Sequence, residues 1–368
     1  TALGRAGAPV HVYAADCYGR GLPSIGDIFE PPCQYRTRKG LWLGGLSWSP
    51  ALKPYLRKGI QSADVVHNHS VWMLPNSYAS RIALAENKPL VITAHGALEP
   101  WALQNSGWKK RLVGRWFQYQ DLKTASCIHV NSHNEMRGIR QLGLTQPVAV
   151  IPNGIHLPDF QDLPDKTELA EAFPATADKR LILYMGRIHR KKGVDILVEA
   201  WGKLADEFSD AHLVVAGPDD GLLSKCTGIA SRLNIHNRVT FTGNLQGRQK
   251  LQVLSAATLF VMPSHSEGFS MSVMEALACR LPVLLTPGCN FPEAATAGAA
   301  IEVAPTIGET YYGLRQLLEL SDDARDRMGE AGCRLIREEY TWDIVATKTL
   351  TLYAWLCSQT ERPSFVCD

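Results

Sequence analysis

The chain has 368 residues, 45% of them hydrophobic and 20% charged, with a net charge of +2, which suits a globular protein of two ordinary domains. No apolar run approaches the ~20 residues that a membrane-spanning helix needs, so an integral helical membrane protein is excluded, and so is a low-complexity or repeat protein. The charge is unevenly divided: residues 1–160 hold 17 Lys and Arg against 9 Asp and Glu, and residues 161–368 hold 21 against 27. A basic first half joined to an acidic second half is either ordinary solvated charge or a first half that meets anionic material, a membrane surface being one candidate and nucleic acid not being expected. Nine cysteines without a Cys-x-x-Cys pair read as free thiols of a reducing compartment, and with no secretory signal the expected location is cytoplasmic. The Asn68-His69-Ser70 sequon is then accidental.

Residues 1–7 read as the end of a helix and Pro9–Ala15 as the strand after it. Residues 16–60 are rich in loop formers and aromatics (Trp42, Trp48, Tyr55), and no chemistry is assigned to them. Asp64–His69 predicts a short strand ending in polar residues, with His69 either in a site or satisfied in a strand-end loop. Pro89–Gly96 predicts a buried strand carrying His95 and Gly96 at its carboxyl end, where parallel α/β sheets bind ligands. The basic, aromatic stretch 105–123 (Trp108, Lys109, Lys110, Arg111, Arg115, Trp116, Phe117) reads either as a segment lying on an anionic membrane or as an amphipathic helix with a solvated charged edge. Strands follow over Ser126–Ser132 and from Val148, the latter closing on the turn pair Asn153-Gly154. Pro158–Lys179, rich in Pro, Asp and Thr, reads as a linker and hinge.

A second domain begins with the strand Arg180–Met185, which ends in Gly186-Arg187 and is followed by Lys192-Gly193 and a helix from Val194 to about Phe208. Arg187 as a fork and Lys192 as a point charge can hold a diphosphate there; the alternative is a plain basic loop with His189, Arg190 and Lys191. Strands at Ala211–Gly217 and Val239–Gly243 alternate with helices at Leu222–Leu233 and Arg248–Ala256. Pro218-Asp219-Asp220 is no metal motif, and neither a metal nor a cofactor is expected. The apolar run Thr258–Pro263 then leads through Ser264–Gly268 into a helix with Ser270 as N-cap, stopped by Pro282 before another apolar strand. Gly268 lets the backbone approach a ligand, and the amides near Ser270, Met271 and Ser272 are donors suited to an anion. Glu267 and Glu275 bracket that anion site and could accept from the hydroxyls of a sugar and a ribose; alternatively Glu267 is an exposed loop charge and Glu275 a solvated helix position. Cys289–Glu293 follows, and the chain ends in helices at Leu314–Leu320, Asp323–Glu338 and Trp342–Leu356.

Glu267-Gly268-Phe269-Ser270-x-x-x-x-Glu275, ahead of Ala-Leu-Ala and Pro-Val, resembles the Glu-x7-Glu motif of retaining glycosyltransferases of group 1 (family 4). Gly186-Arg187…Lys192-Gly193 resembles that family's donor-phosphate pair, and Asp64-x-x-His67-x-His69 a stretch on its cleft side. The run His95-Gly-Ala-Leu-x-Pro-Trp-Ala-Leu resembles members from bacterial surface-polysaccharide pathways. The resemblance implies the GT-B fold, two Rossmann-like α/β domains with parallel sheets facing a cleft. It places an acceptor-side domain at 1–157, a donor domain at 158–340, and a helix at 341–368 that crosses back. It implies transfer with retention from a nucleoside diphosphate sugar to a hydroxyl of a sugar or lipid-linked acceptor, without a metal. By the same resemblance His95 would contact the transferred sugar and its backbone the reacting carbon, Arg187 and Lys192 the diphosphate, Glu267 the sugar and Glu275 the ribose. Gly186, Gly268, Phe269, Ser270, Met271 and Ser272 would line the donor site, Asn244 and Leu245 would reach the base through backbone groups, and His69 and Gly96 are secondary candidates. Two departures stand out. Arg280 occupies a helix C-terminus where the family commonly has Gly, and no strand with a Gly-rich turn precedes Pro9–Ala15, which would leave a gap in the first sheet. The rival functions are a nucleotide-sugar epimerase of the same fold and a non-catalytic sugar-nucleotide-binding protein or inactive fragment.

Overall fold

The structure is a computed structural model that describes residues 2–16, 34–39, 47–99 and 114–368. The chain divides into two α/β units, Thr1–Gly154 with Trp342–Asp368, and Ile155–Thr341.

The second unit carries six parallel strands: β7 (Arg180–Met185), β8 (Ala211–Ala216), β9 (Val239–Gly243), β10 (Ala257–Met262), β11 (Val283–Leu285) and β12 (Ala300–Glu302). A parallel sheet is covered by helices on both faces, so its strands are apolar without alternation. Leu181–Tyr184, Leu213–Val215 and Leu259–Met262 are such runs, and every residue in them is buried. The order β12-β11-β10-β7-β8-β9 starts from β7 in the middle and winds outward in both directions. The chain therefore reverses its direction of winding between β7 and β10, and a crevice opens there at the carboxyl ends of the strands.

The first unit holds a five-stranded sheet of β3 (Val66–His69), β4 (Leu90–Thr93), β5 (Cys127–Val130), β6 (Val148–Val150) and β13 (Val366–Cys367), in the order β13-β6-β5-β4-β3. Only the β13–β6 pair is antiparallel. β1 (His11–Asp16) and β2 (Gln34–Lys39) pair with each other in a separate two-stranded parallel sheet, so among the described residues β3 is an edge strand. The helix Trp342–Leu356 returns to this unit, burying Val345 and Leu352 in one cluster with Val91, Cys127, Ala149 and Ile151.

Several expectations change. Residues 158–179 are no free linker: Phe160 and Leu169 are buried in the core of the second unit. Arg248 and Gln252 grip the Glu168 carboxylate, and Ser255 Oγ donates to the carbonyl of Pro164 at 2.6 Å. The helix from Val194 ends at Gly202 rather than near Phe208, and Leu204 and Ala205 continue into the core from turns. In the stretch 105–123, Trp108, Lys109, Lys110 and Arg111 lie outside the described residues. Beyond them Gly114–Gln118 forms a wide helical turn with Trp116 exposed and Phe117 buried, running into the helix Tyr119–Thr124. Arg280 does take the left-handed conformation, with φ of 60°, after the helix Met271–Ala278. The seven described cysteines are free thiols, and no helix among the described residues is long and apolar enough to cross a membrane.

Candidate active site

The site in the second unit is built on the carboxyl ends of β7, β8 and β10. Past β7 and β8 the ladder continues: the Gly186 N–H donates to the carbonyl of Ala216, and the Gly217 N–H to that of Gly243, both at 2.8 Å. Gly217 has φ of +152°, and a Cβ there would stand 1.8 Å from the carbonyl oxygen of Gly186. Two backbones meet where no side chain fits. Gly217→Ala is expected to destabilise this unit by roughly 2–5 kcal/mol, as overpacking against backbone adds to conformational strain, and thermal unfolding measures it. The hydroxyl of buried Tyr184 donates to the carbonyl of Arg187 at 2.8 Å and holds the turn that carries this arginine.

Lys192 stands at the end of a short 3-10 turn, Arg190–Lys192, stopped by the left-handed Gly193. The His265 N–H donates to the carbonyl of Lys191, tying this turn after β7 to the turn after β10. Lys192 and Glu267 meet across that tie: Nζ lies 2.5 Å from Oε1 and 2.6 Å from Oε2, with side chains only 14% and 9% exposed. Ser264 Oγ donates to Glu267 Oε1 at 2.6 Å, and Asn290 Nδ2 donates to the Glu267 carbonyl at 2.5 Å. Glu267 is a buried, anchored anion rather than an exposed loop charge.

The helix Met271–Ala278 begins after Ser270, whose side chain makes no capping hydrogen bond, so the first-turn amides keep no side-chain acceptor there. Glu275, one turn along, is not a solvated position: it is 17% exposed at its side chain and pairs with Lys250 Nζ at 2.9 Å. A cavity of ≈ 440 Å³ is lined by Gly186, Arg187, Lys192, Asn244, Leu245, Glu267, Phe269, Ser270, Met271, Ser272 and Glu275, together with Gly217 and Lys250. Gly268 is not on its wall; its carbonyl accepts from Asn290 Nδ2 at 3.3 Å. Phe269 packs its other side on Phe291 and Tyr340, with ring centroids 5.0 and 6.0 Å away. Each cation on the wall has a carboxylate partner, Arg187 pairing with Asp220 at 2.6 Å. Asp219 accepts from the N–H groups of Gly221, Leu222 and Leu223, so its carboxylate holds a helix start.

His95, Gly96 and His69 belong to the first unit and form their own group. His69 Nδ1 and His95 Nε2 are 3.1 Å apart with the rings stacked, and burial lowers the pKa of both, His69 to about 4. His95 has φ of 51° and Gly96 of 73°, a tight left-handed turn after β4. The buried Glu135 holds that turn: its Oε1 accepts from the Gly96 N–H at 2.6 Å and its Oε2 from the Asn131 N–H at 2.9 Å. Burial pushes the Glu135 carboxyl up to about 7. In the same unit Tyr353, His67, Thr93 and His129, the first two half-buried and the last two buried, form a hydrogen-bonded row that ends on the carbonyl of Ile151.

The sequence reading missed Lys250, Asp220 and Glu135. For Glu135 a signal was present, since Ser132-x-x-Glu135 is a capping-box pattern, and Ser132 Oγ accepts from the Glu135 N–H at 3.2 Å. For Lys250 and Asp220 there was none, because their partners come from other strand–helix units.

The family model described as Glycosyl transferases group 1 matches residues 165–334, and that described as Glycosyltransferase Family 4 matches residues 1–158. A putative teichuronic acid biosynthesis glycosyltransferase of Bacillus subtilis is 30% identical over 276 residues, 69% of this chain and 64% of that protein, so the match spans just under two thirds of its length. A D-inositol 3-phosphate glycosyltransferase of Xylanimonas cellulosilytica is 26% identical over 317 residues, 79% of this chain and 72% of that one. Among solved structures, the Anabaena protein HepE in complex with UDP and glucose superposes with a TM-score of 0.70 at 17% identity, covering 88% of this chain and 86% of that one. That likeness is one of fold.

Proposed function

Since the chain belongs to the group 1 glycosyltransferases and has their GT-B fold, we propose that it moves a sugar from a nucleoside diphosphate sugar to a hydroxyl acceptor with retention, in cell-surface polysaccharide or glycolipid synthesis. The observation that carries the reading is the cavity at the crevice between β7 and β10, where Arg187, Lys192 and the first-turn amides of Met271–Ala278 share a wall with Glu267 and Glu275. The cations and amides take the diphosphate, Glu267 the hydroxyls of the sugar and Glu275 the ribose diol. Arg187 and Lys192 reach the diphosphate by sharing their charge with Asp220 and Glu267, and the reading invokes no divalent cation.

In the proposed step the bond from the anomeric carbon to the phosphate oxygen breaks, and the acceptor oxygen bonds to that carbon on the same face. The acceptor's proton passes to the departing phosphate oxygen. Arg187 and Lys192 stabilise the charge that develops there, usually the largest catalytic contribution. The positive excess over residues 1–160 supports an acceptor carried on an anionic membrane surface.

A thermal-shift screen of UDP-, ADP- and GDP-sugars tests the reading, because a ligand at 100 times its Kd adds about 2.7 kcal/mol to the native state. The donor selected is then followed by NMR with candidate acceptors, where an α-linked donor should give an α-linked product. An isomerised donor in the absence of acceptor would favour an epimerase, and no shift with any nucleotide sugar would overturn the proposal.

A further inference from the structure

We infer that Lys250 is a positioning residue for ribose recognition, an inference that rests on the reading of Glu275 as the acceptor for the ribose diol. Lys250 lies in the helix Arg248–Ala256, just after the turn that brings Asn244 and Leu245 to the cavity, whereas Glu275 comes from the helix after β10. Both line the cavity, and Lys250 Nζ stands 2.9 Å from Glu275 Oε1. The ammonium group also lies 5.8 Å from the centre of the Phe160 ring, so an aromatic face helps to keep it in place. Glu275 Oε2 makes no hydrogen bond to the protein among the described residues.

A carboxylate holds two vicinal hydroxyls together only when its plane is fixed. Lys250 supplies that condition, since its hydrogen bond pins one oxygen and so fixes the direction of the other. Without Lys250 the carboxylate is free to turn about its last torsion, which is broad and about two-fold. Its preference for a diol over a single hydroxyl then weakens. The ammonium therefore acts through Glu275, and the quantity it governs is discrimination between ribose and 2′-deoxyribose rather than attraction of the diphosphate.

The test is calorimetric binding of UDP, ADP and GDP, each beside its 2′-deoxy counterpart, to the wild type and to Lys250→Met, Lys250→Arg and Glu275→Gln, with thermal unfolding as the check on folding. For the nucleotide bound best, the wild type should favour ribose about 10- to 100-fold, the value of one hydrogen bond to a charged group. Lys250→Met and Glu275→Gln should both bring that ratio to within a few-fold of one, and Lys250→Arg should restore most of it. A ratio lost in Glu275→Gln but kept in Lys250→Met, including an equal weakening of both nucleotides, overturns the role of Lys250 and leaves that of Glu275 standing. A ratio kept in Glu275→Gln overturns the ribose reading itself.

Discussion

Glu267→Gln should lower turnover by about 10²–10³-fold, the cost of removing one preorganised electrostatic contact from a reacting centre, while nucleoside diphosphate binding stays the same or tightens. The substitution keeps the shape of the side chain and an oxygen to accept from Ser264 Oγ, so the turn after β10 holds. It removes the negative charge that would face the sugar and releases Lys192 from its carboxylate. Removing either partner alone leaves the other charge buried and uncompensated, at up to about 3–5 kcal/mol, so stability is measured beside turnover. The double variant Lys192→Met/Glu267→Gln removes both charges together and should recover most of that stability without recovering turnover. Steady-state kinetics beside thermal unfolding separates the two effects. Turnover by Glu267→Gln within a few-fold of wild type would end the catalytic assignment of this pair.

Thr93→Val should cost the first unit about 2–5 kcal/mol, although it changes one buried hydroxyl for a methyl group. The carbonyl of Ile151 can only accept, so His129 Nε2 carries the proton at 2.7 Å from it. His129 Nδ1 then accepts from the Thr93 hydroxyl at 2.8 Å, Thr93 accepts from His67 Nε2–H at 2.6 Å, and His67 Nδ1 accepts from the Tyr353 hydroxyl at 2.6 Å. One proton serves each link, and every member is neutral. Thr93, fully buried, is the link on which both imidazoles depend. Valine would leave a donor on one ring and an acceptor on the other unpartnered, at about 1–3 kcal/mol each.

The same row fixes a sign for pH. Burial, reinforced for His67 by the neighbouring histidines, lowers His129 to about 4 and His67 well below its ordinary value. In the unfolded chain these histidines take up protons as pH falls below about 6.5, whereas folded His129 does not until about 4 and folded His67 is likewise delayed. The stability these rings contribute is thus complete above pH ~6.5 and is lost on the way down. Asp121 and Glu135, raised by burial to about 6 and 7, act in the opposite sense, gaining stability over the same descent. The histidine share is isolated by comparing wild type with His129→Asn: the penalty of the substitution should shrink between about pH 7.5 and pH 5. A penalty that does not change with pH would exclude the neutral, proton-ordered row.

Much of this protein is legible locally. The unalternating apolar runs at Leu181–Tyr184 and Leu259–Met262 announce buried parallel strands, because a strand covered on both faces has no polar side to show. Gly193 marks its left-handed turn, and the motifs around Arg187, Lys192, Glu267 and Glu275 carry the family resemblance by residue type and spacing alone. Composition misled at 158–179, where Pro, Asp and Thr suggested a hinge. Two apolar side chains, Phe160 and Leu169, were enough to seat the segment against the core.

What the sequence by itself determined was the set of parts: which stretches become strands, which turns carry cations, acids and free amides, and to which family they point. Only the tertiary structure decided the partners. Lys192 meets Glu267 because the sheet order sets β10 beside β7, 75 residues away along the chain. Lys250 meets Glu275 and Glu135 reaches Gly96 for the same kind of reason. Ion pairs and hydrogen bonds act over a few ångströms, and that proximity comes from strands laid side by side out of chain order, which local preference does not encode.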